Sequence, residues 1–175
     1  KKTRAEFRAM IHPSPKDQCF PVQSLASIGK KKKNKCLILL KGRIKMKKIA
    51  FIGLGHMGEP MARNLLKNGS RLIVSDINQE KLKVFEGLGA TVAEKNFMSE
   101  QPEIIITMLP SGKEVRQIYE SYIFPHLKSH QLLVDCSTID VETTRQLALK
   151  AQDKKAYMID APVSGGVAGA EAGTL

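Results

Sequence analysis

Three glycines at positions 53, 55 and 58, placed directly behind a short apolar run, restrict this chain more than any other feature. Residues 49–52 (Ile-Ala-Phe-Ile) are too few for a helix and are bounded by Lys47, Lys48 and Gly53. Such a run reads as a strand buried on both faces of a parallel sheet. Gly53-Leu54-Gly55-His56-Met57-Gly58 then has G-x-G-x-x-G spacing. The first glycine makes a tight turn, the second lets the backbone approach a pyrophosphate, and the third lets helix and strand pack closely. A helix starting there aims its free N–H groups and positive dipole end at phosphates.

Glycine-rich turns are common, so the context decides. Met61, Leu65 and Leu66 are spaced for one face of a helix, and Lys67-Asn68-Gly69 stops it. A second apolar run over residues 71–75 ends at Asp76, roughly 20 residues beyond the glycines, where a ribose-binding carboxylate belongs. Such an acid favours NAD and repels the 2′-phosphate of NADP.

The same alternation continues along the chain. A helix is expected over residues 78–88, with Leu82, Phe85 and Leu88 on its buried face, then a short strand over 90–93. Residues 103–109 form the next strand, nearly all apolar, and Pro110 ends it. Ser111 is placed to cap a helix carrying Val115, Ile118 and Tyr119, with Glu114 three residues on as in a capping box. Strands over 131–135 and 156–160 flank a helix running through Leu147 and Leu149. This order specifies an α/β fold, a doubly wound parallel sheet of about six strands of the Rossmann type, with right-handed crossovers. Ligands bind at the carboxyl ends of such strands. Residues 53–58, Asp76, residues 108–110, Ser137-Thr138 and residues 162–166 all fall there.

Charge separates the chain into two parts. The formal charge is +11 over 175 residues. Residues 1–45 hold thirteen Lys/Arg against two Asp/Glu and carry all of it, whereas residues 46–175 hold fifteen of each. The leading segment shows no sustained helical or strand period and contains Pro13, Pro15, Pro21 and a lysine block at 30–33. It reads as a basic disordered segment, with Met46 as the natural start and residues 1–45 as upstream sequence. A targeting leader or a nuclear-type basic patch are the functional alternatives. The neutral remainder gives no reason to expect a specific nucleic-acid partner. The apolar run at 36–40 is too short to span a bilayer, so no membrane partner is expected. Cys19, Cys36 and Cys136 form no C-x-x-C pair and, with four scattered histidines, no metal spacing. Free thiols of this kind suit a reducing compartment, cytoplasmic or, in a eukaryote, mitochondrial.

After the last strand comes Asp160-Ala161-Pro162-Val163-Ser164-Gly165-Gly166. A serine hydroxyl and two glycine N–H groups could hold a small carboxylate, or form no more than a flexible turn. Taken in order, the glycine motif with Glu59-Pro60-Met61-Ala62-Arg63-Asn64-Leu65, then Met108-Leu109-Pro110, Asp135-Cys136-Ser137-Thr138 and residues 160–166 resemble the β-hydroxyacid dehydrogenase family. The match runs from Met46 to Leu175. The resemblance implies oxidation of a small 3-hydroxy acid by hydride transfer to NAD, in an enzyme that is a homo-oligomer when full length. It implies cofactor binding by Gly53, Leu54, Gly55, His56, Met57, Gly58 and Asp76, with Met108, Leu109, Pro110, Glu114 and Thr138 toward the nicotinamide. Ser164, Gly165 and Gly166 would bind the substrate.

The expected organisation is a dinucleotide-binding domain over 46–162 and a substrate motif opening an interdomain segment over 163–175. The family's catalytic lysine lies on the helix beyond that motif, and an all-helical domain completes the site. Lys150, Lys154 and Lys155 precede the last strand and match no motif, so no catalytic residue is assigned. Reductases of tartronate semialdehyde and 6-phosphogluconate dehydrogenases are the nearest rivals within the family, the latter ranked last because a 2′-phosphate favours a neutral or basic residue where Asp76 stands. A non-catalytic dinucleotide-binding module with a basic tether is the rival outside it.

Overall fold

A computed structural model describes residues 47–175; the expectations for residues 1–45 and for Met46 lie outside the described residues. Six strands, β1 (Lys48–Ile52), β2 (Arg71–Ser75), β3 (Thr91–Val92), β4 (Ile104–Thr107), β5 (Leu132–Asp135) and β6 (Tyr157–Asp160), form one sheet. The order is β3-β2-β1-β4-β5-β6 and every pairing is parallel. The chain therefore winds outward from β1 in one direction and then, from β4, in the other. The crevice beyond β1 and β4 is the switch point at which such sheets bind ligands.

Five α-helices accompany the strands: α1 (Gly58–Lys67), α2 (Gln79–Gly87), α3 (Gly112–Ile118), α4 (Val141–Asp153) and α5 (Gly166–Ala172). Successive residues of a strand face opposite sides, and the core divides accordingly. Ala50, Ile52 and Ile73 join Ile105, Val115 and Leu147 on the side of α3 and α4. Phe51, Leu72 and Val74 join Ala62, Leu82 and Phe85 on the side of α1 and α2. The apolar run at 49–52 thus feeds two cores at once.

The face of α2 is narrower than its spacing predicts, and Leu149 stands outside the buried stripe of α4. Leu88 is the C-cap of α2 and is half exposed, and Leu149 on α4 is 62% exposed. Leu88 has passed the end of the helix, and Leu149 lies two positions from the buried Leu147, a rotation of roughly 200°. Tyr119 is fully buried as expected, but in a π-helical turn (Tyr119–Ile123) that follows α3. The expected capping box is also modified. Ser111 Oγ accepts from the Lys113 amide at 3.2 Å, while its hydroxyl donates to the Glu114 carboxylate. That bond, more than any other influence, holds the Glu114 carboxyl below the usual range. Residues 163–175 contain α5, which packs on α1: the Asn64 side-chain amide donates to the carbonyls of Ala170 (2.7 Å) and Glu171 (3.2 Å). Among the described residues no helix is long and apolar enough to cross a membrane.

Candidate cofactor and substrate site

The turn after β1 is fixed by sterics before any ligand is considered. Gly53 has φ +98°, and a Cβ there would meet the Met108 carbonyl, with its carbon at 3.0 Å and its oxygen nearer. A Cβ on Gly58 would meet the Gly53 carbonyl in the same way, with Phe51 Cε1 at 3.2 Å. Gly55 differs, because a Cβ there would find nothing within 4 Å. Two glycines are therefore dictated by the protein itself, and the third opens onto empty space. Among the described residues, the amides of Gly55, His56 and Met57 have no hydrogen-bond partner. Free amides beside an open cradle, at the start of the ten-residue α1, are what a pyrophosphate requires.

The peptide group of Leu54 is gripped at both ends. Its N–H donates to Asp76 Oδ2 at 2.5 Å, and its carbonyl accepts from Lys81 Nζ at 2.5 Å. Lys81 also pairs with Glu59 at 3.2 Å, and Glu59 with Arg63 at 2.9 Å. The Arg63 bond is the largest influence holding the Glu59 carboxyl below its ordinary range. The other oxygen of Asp76 accepts from the Asn78 amide at 2.8 Å. Each carboxylate oxygen keeps a further lone pair, so Asp76 can still accept from ribose hydroxyls at the end of β2.

Across the switch point, the Met108 amide donates to the Ile52 carbonyl at 2.9 Å and so extends the β1–β4 pairing. The Leu109 amide donates to Ser137 Oγ at 2.9 Å. Ser137 lies in the loop after β5 and is fully buried, as are Asp135 and Thr107. Three donors converge on Asp135 Oδ1: Thr107 Oγ1 at 2.8 Å, Ser137 Oγ at 2.7 Å and the Ser137 amide at 3.1 Å. Asp135 Oδ2 has no partner. Burial raises the Asp135 carboxyl above the usual carboxylate range, against the opposing bonds from Ser137 and Thr107. Cys136 beside it is also buried, and burial pushes its thiol up to about 11, the profile of an inert small residue.

Contacts thus join Asp76, the glycine turn, residues 108–109 and Ser137 in one continuous chain. Thr138 follows Ser137 and is exposed; Pro110 precedes α3 and Glu114 lies in its first turn, where a Cβ on Gly112 would meet Asp140 Oδ2 at 3.3 Å and Ile139 Cβ at 3.6 Å. Ser164 and Gly165, on the loop after β6, and Gly166, the first residue of α5, are exposed. Gly165 and Gly166 have φ +123° and +61°, so they are turn-forming positions whatever else they do. The segment is tied to α1 through the docking of α5 at Asn64; no hydrogen bond joins it to residues 108–114 or to Thr138. Among the described residues no cluster of His, Cys, Asp and Glu is arranged to hold a metal ion.

Sequence reading missed Lys81, and placed Ser137 at the site without its bond to Leu109. A lysine in the first turn of α2 opposes the helix dipole, and that mismatch was the legible signal for Lys81. The motif after the fifth strand marked the place of Ser137, but its partner depends on which strand lies alongside.

The comparisons with known proteins agree with this geometry. The family described as the NAD binding domain of 6-phosphogluconate dehydrogenase matches residues 48–175. A 3-hydroxyisobutyrate dehydrogenase of Pseudomonas aeruginosa is 44% identical over 133 residues, covering 74% of this chain and 45% of that protein. An NAD-dependent L-serine dehydrogenase of the same bacterium is 43% identical over 133 residues, with coverage of 74% and 45%. Among solved structures, a Mycobacterium tuberculosis 3-hydroxyisobutyrate dehydrogenase with L-serine aligns with a TM-score of 0.67 and 35% identity, over 73% of this chain and 44% of that one. The chain spans less than half the length of these relatives. A six-stranded parallel sheet with the 3-2-1-4-5-6 order, an open glycine cradle and these relatives lead to one conclusion: the chain belongs to the β-hydroxyacid dehydrogenase family, whose NAD-binding domain residues 48–175 match.

Proposed function

We propose that this protein serves an NAD-dependent dehydrogenase of small 3-hydroxy acids, with 3-hydroxyisobutyrate, oxidised to methylmalonate semialdehyde, as leading substrate. The observation that carries the reading is the open cradle at Gly55 with Asp76 beside it, on a chain whose relatives bear that enzyme's name. Bound NAD supplies a hydride acceptor for the carbinol carbon. The free amides of residues 55–57 would face its pyrophosphate, with Leu54 and Gly58 flanking them, and Asp76 would face its adenosine ribose. Met108, Leu109, Pro110, Glu114 and Thr138 would flank the nicotinamide half. Ser164 Oγ and the Gly165 and Gly166 amides would hold the substrate carboxylate, on a segment (163–175) that opens from the cofactor domain (46–162). The working assembly would be a homo-oligomer, in the cytoplasm or, in a eukaryote, the mitochondrion, as its bacterial and mitochondrial relatives suggest.

L-Serine is the second reading, favoured by the L-serine dehydrogenase relative and by the L-serine named with the mycobacterial structure. Both substrates present a carboxylate and a 3-hydroxyl and differ at the carbon between. No residue of this chain is assigned as general base. Lys150 donates to Glu120 at 2.7 Å on the far side of α4, and a positioned base contributes about 10²–10⁴-fold. A polypeptide of residues 1–175 is expected to bind NAD without forming NADH from either acid. Failure to bind NAD in a calorimetric titration would overturn the reading. Steady NADH formation would place the base within this chain.

A further inference from the structure

Asp135 is a carboxylate with no solvent exposure, three donors on one oxygen and none on the other. An acid that only finishes a strand needs the following loop's amide, and the Ser137 N–H supplies that. The two hydroxyls are additional, and their directions are fixed. Thr107 has a single hydroxyl proton and gives it to Asp135, so Tyr119, 3.3 Å away, donates to Thr107. Ser137 likewise gives its proton to Asp135 and leaves its lone pairs facing the Leu109 amide. The Leu109 amide is thereby held by an acceptor whose orientation Asp135 sets. The peptide joining Met108 and Leu109 also lies against Gly53, where no Cβ could fit.

We propose that Asp135 is a positioning residue: through the Ser137 hydroxyl it fixes the Met108–Leu109 peptide and so sets the wall that the nicotinamide half of the cofactor meets. This rests on the reading above that Leu109 and Pro110 flank the nicotinamide. The assigned role needs an acceptor oxygen rather than a charge, because every donor falls on Oδ1. The raised Asp135 carboxyl is consistent with that, since burial disfavours the anion. Asparagine can keep the oxygen in place, whereas alanine cannot.

The test titrates the 1–175 chain and its variants with NADH and with ADP-ribose, which lacks the nicotinamide, and follows NADH fluorescence. Far-UV circular dichroism establishes folding of each variant. D135A and S137A are expected to weaken NADH about tenfold and to reduce its fluorescence enhancement, while ADP-ribose affinity changes by less than twofold. D135N should stay within about twofold of wild type, and the D135A/S137A double variant should be no worse than either single one. S137A leaves the carboxylate in place and keeps the test usable if D135A does not fold. Equal losses for NADH and ADP-ribose, an unchanged NADH affinity in S137A, or a D135N loss matching D135A would each overturn the proposal. A wild-type chain that binds NADH no tighter than ADP-ribose would instead overturn the placement of residues 109–110, and the proposal with it.

Discussion

Gly55 and Gly58 share one turn, yet alanine at each should move different observables in opposite directions. In Gly58→Ala the new methyl meets the Gly53 carbonyl, whose carbon lies at 3.0 Å with the oxygen closer still, and Phe51 Cε1 at 3.2 Å. Overpacking costs about 1–3 kcal/mol where side chains can yield. The obstacle here is backbone, held in turn by the Ser75 carbonyl through the Gly53 amide at 2.9 Å, so the upper end applies. About 3 kcal/mol in a domain of this size lowers Tm by roughly 10 °C. In Gly55→Ala the methyl meets nothing within 4 Å, and the backbone is outside the left-handed region. Loss of unfolded-state entropy should then stabilise the protein by about 0.4–1 kcal/mol. The same methyl occupies the space a phosphate would take, so NAD should bind at least about tenfold more weakly, a loss near 1.4 kcal/mol. Thermal unfolding by circular dichroism and calorimetric NAD titration on both variants check this. A Gly55→Ala protein that binds NAD normally would refute the cradle, and one that melts as early as Gly58→Ala would refute the separation of roles.

Asp76→Asn should reduce the preference for NAD over NADP by about tenfold, because the repelled 2′-phosphate no longer faces a charge; parallel titrations with the two cofactors measure it, and tighter NADP binding by the wild type would reverse the assignment. Asp135 ionises at higher pH in the folded protein than in the unfolded chain, so in the window between those values the unfolded state binds fewer protons and stability falls as pH rises. Asp135→Asn removes this effect and should gain on the wild type in urea unfolding as pH is raised from about 4 toward 7; a constant difference across that range would contradict it. Deleting residues 1–45, which carry the whole +11, should leave the thermal transition nearly unchanged and abolish any DNA binding seen at low salt.

The fold was legible because its signals are local. Apolar runs of four or five residues, glycine stops and an acid at the end of the second run need no knowledge of neighbours, and β2 falls on the residues expected. Position 53 demanded glycine from the turn alone, but that position 58 is closed and position 55 open depends on where the Gly53 carbonyl and Phe51 come to rest. The support beneath the site was not legible for the same reason. Ser137 acts on Leu109, 28 residues earlier, and Lys81 acts on Leu54, 27 residues earlier. The first pair exists only once β4 and β5 lie side by side, and the second only once β1 and β2 do. Exposure failed at Leu88 because a helical period marks a direction, whereas the end of the helix decides what is buried.

The Asn64 amide and the carbonyl of Ala170 are separated by 106 residues. On a ribosome adding roughly 5–20 residues each second, α1 has formed for about 5–20 s before its last partner exists. For the first part of that interval, until residue 107 has emerged, β1 also lacks its β4 neighbour, so a central strand stands open on one edge. The earliest βα unit of this domain is consequently among the last to be completed. Its nascent chain passes through a period in which an apolar, unpaired strand is exposed, and protection by a chaperone at that stage should raise the yield of folded protein more than any change to the finished surface.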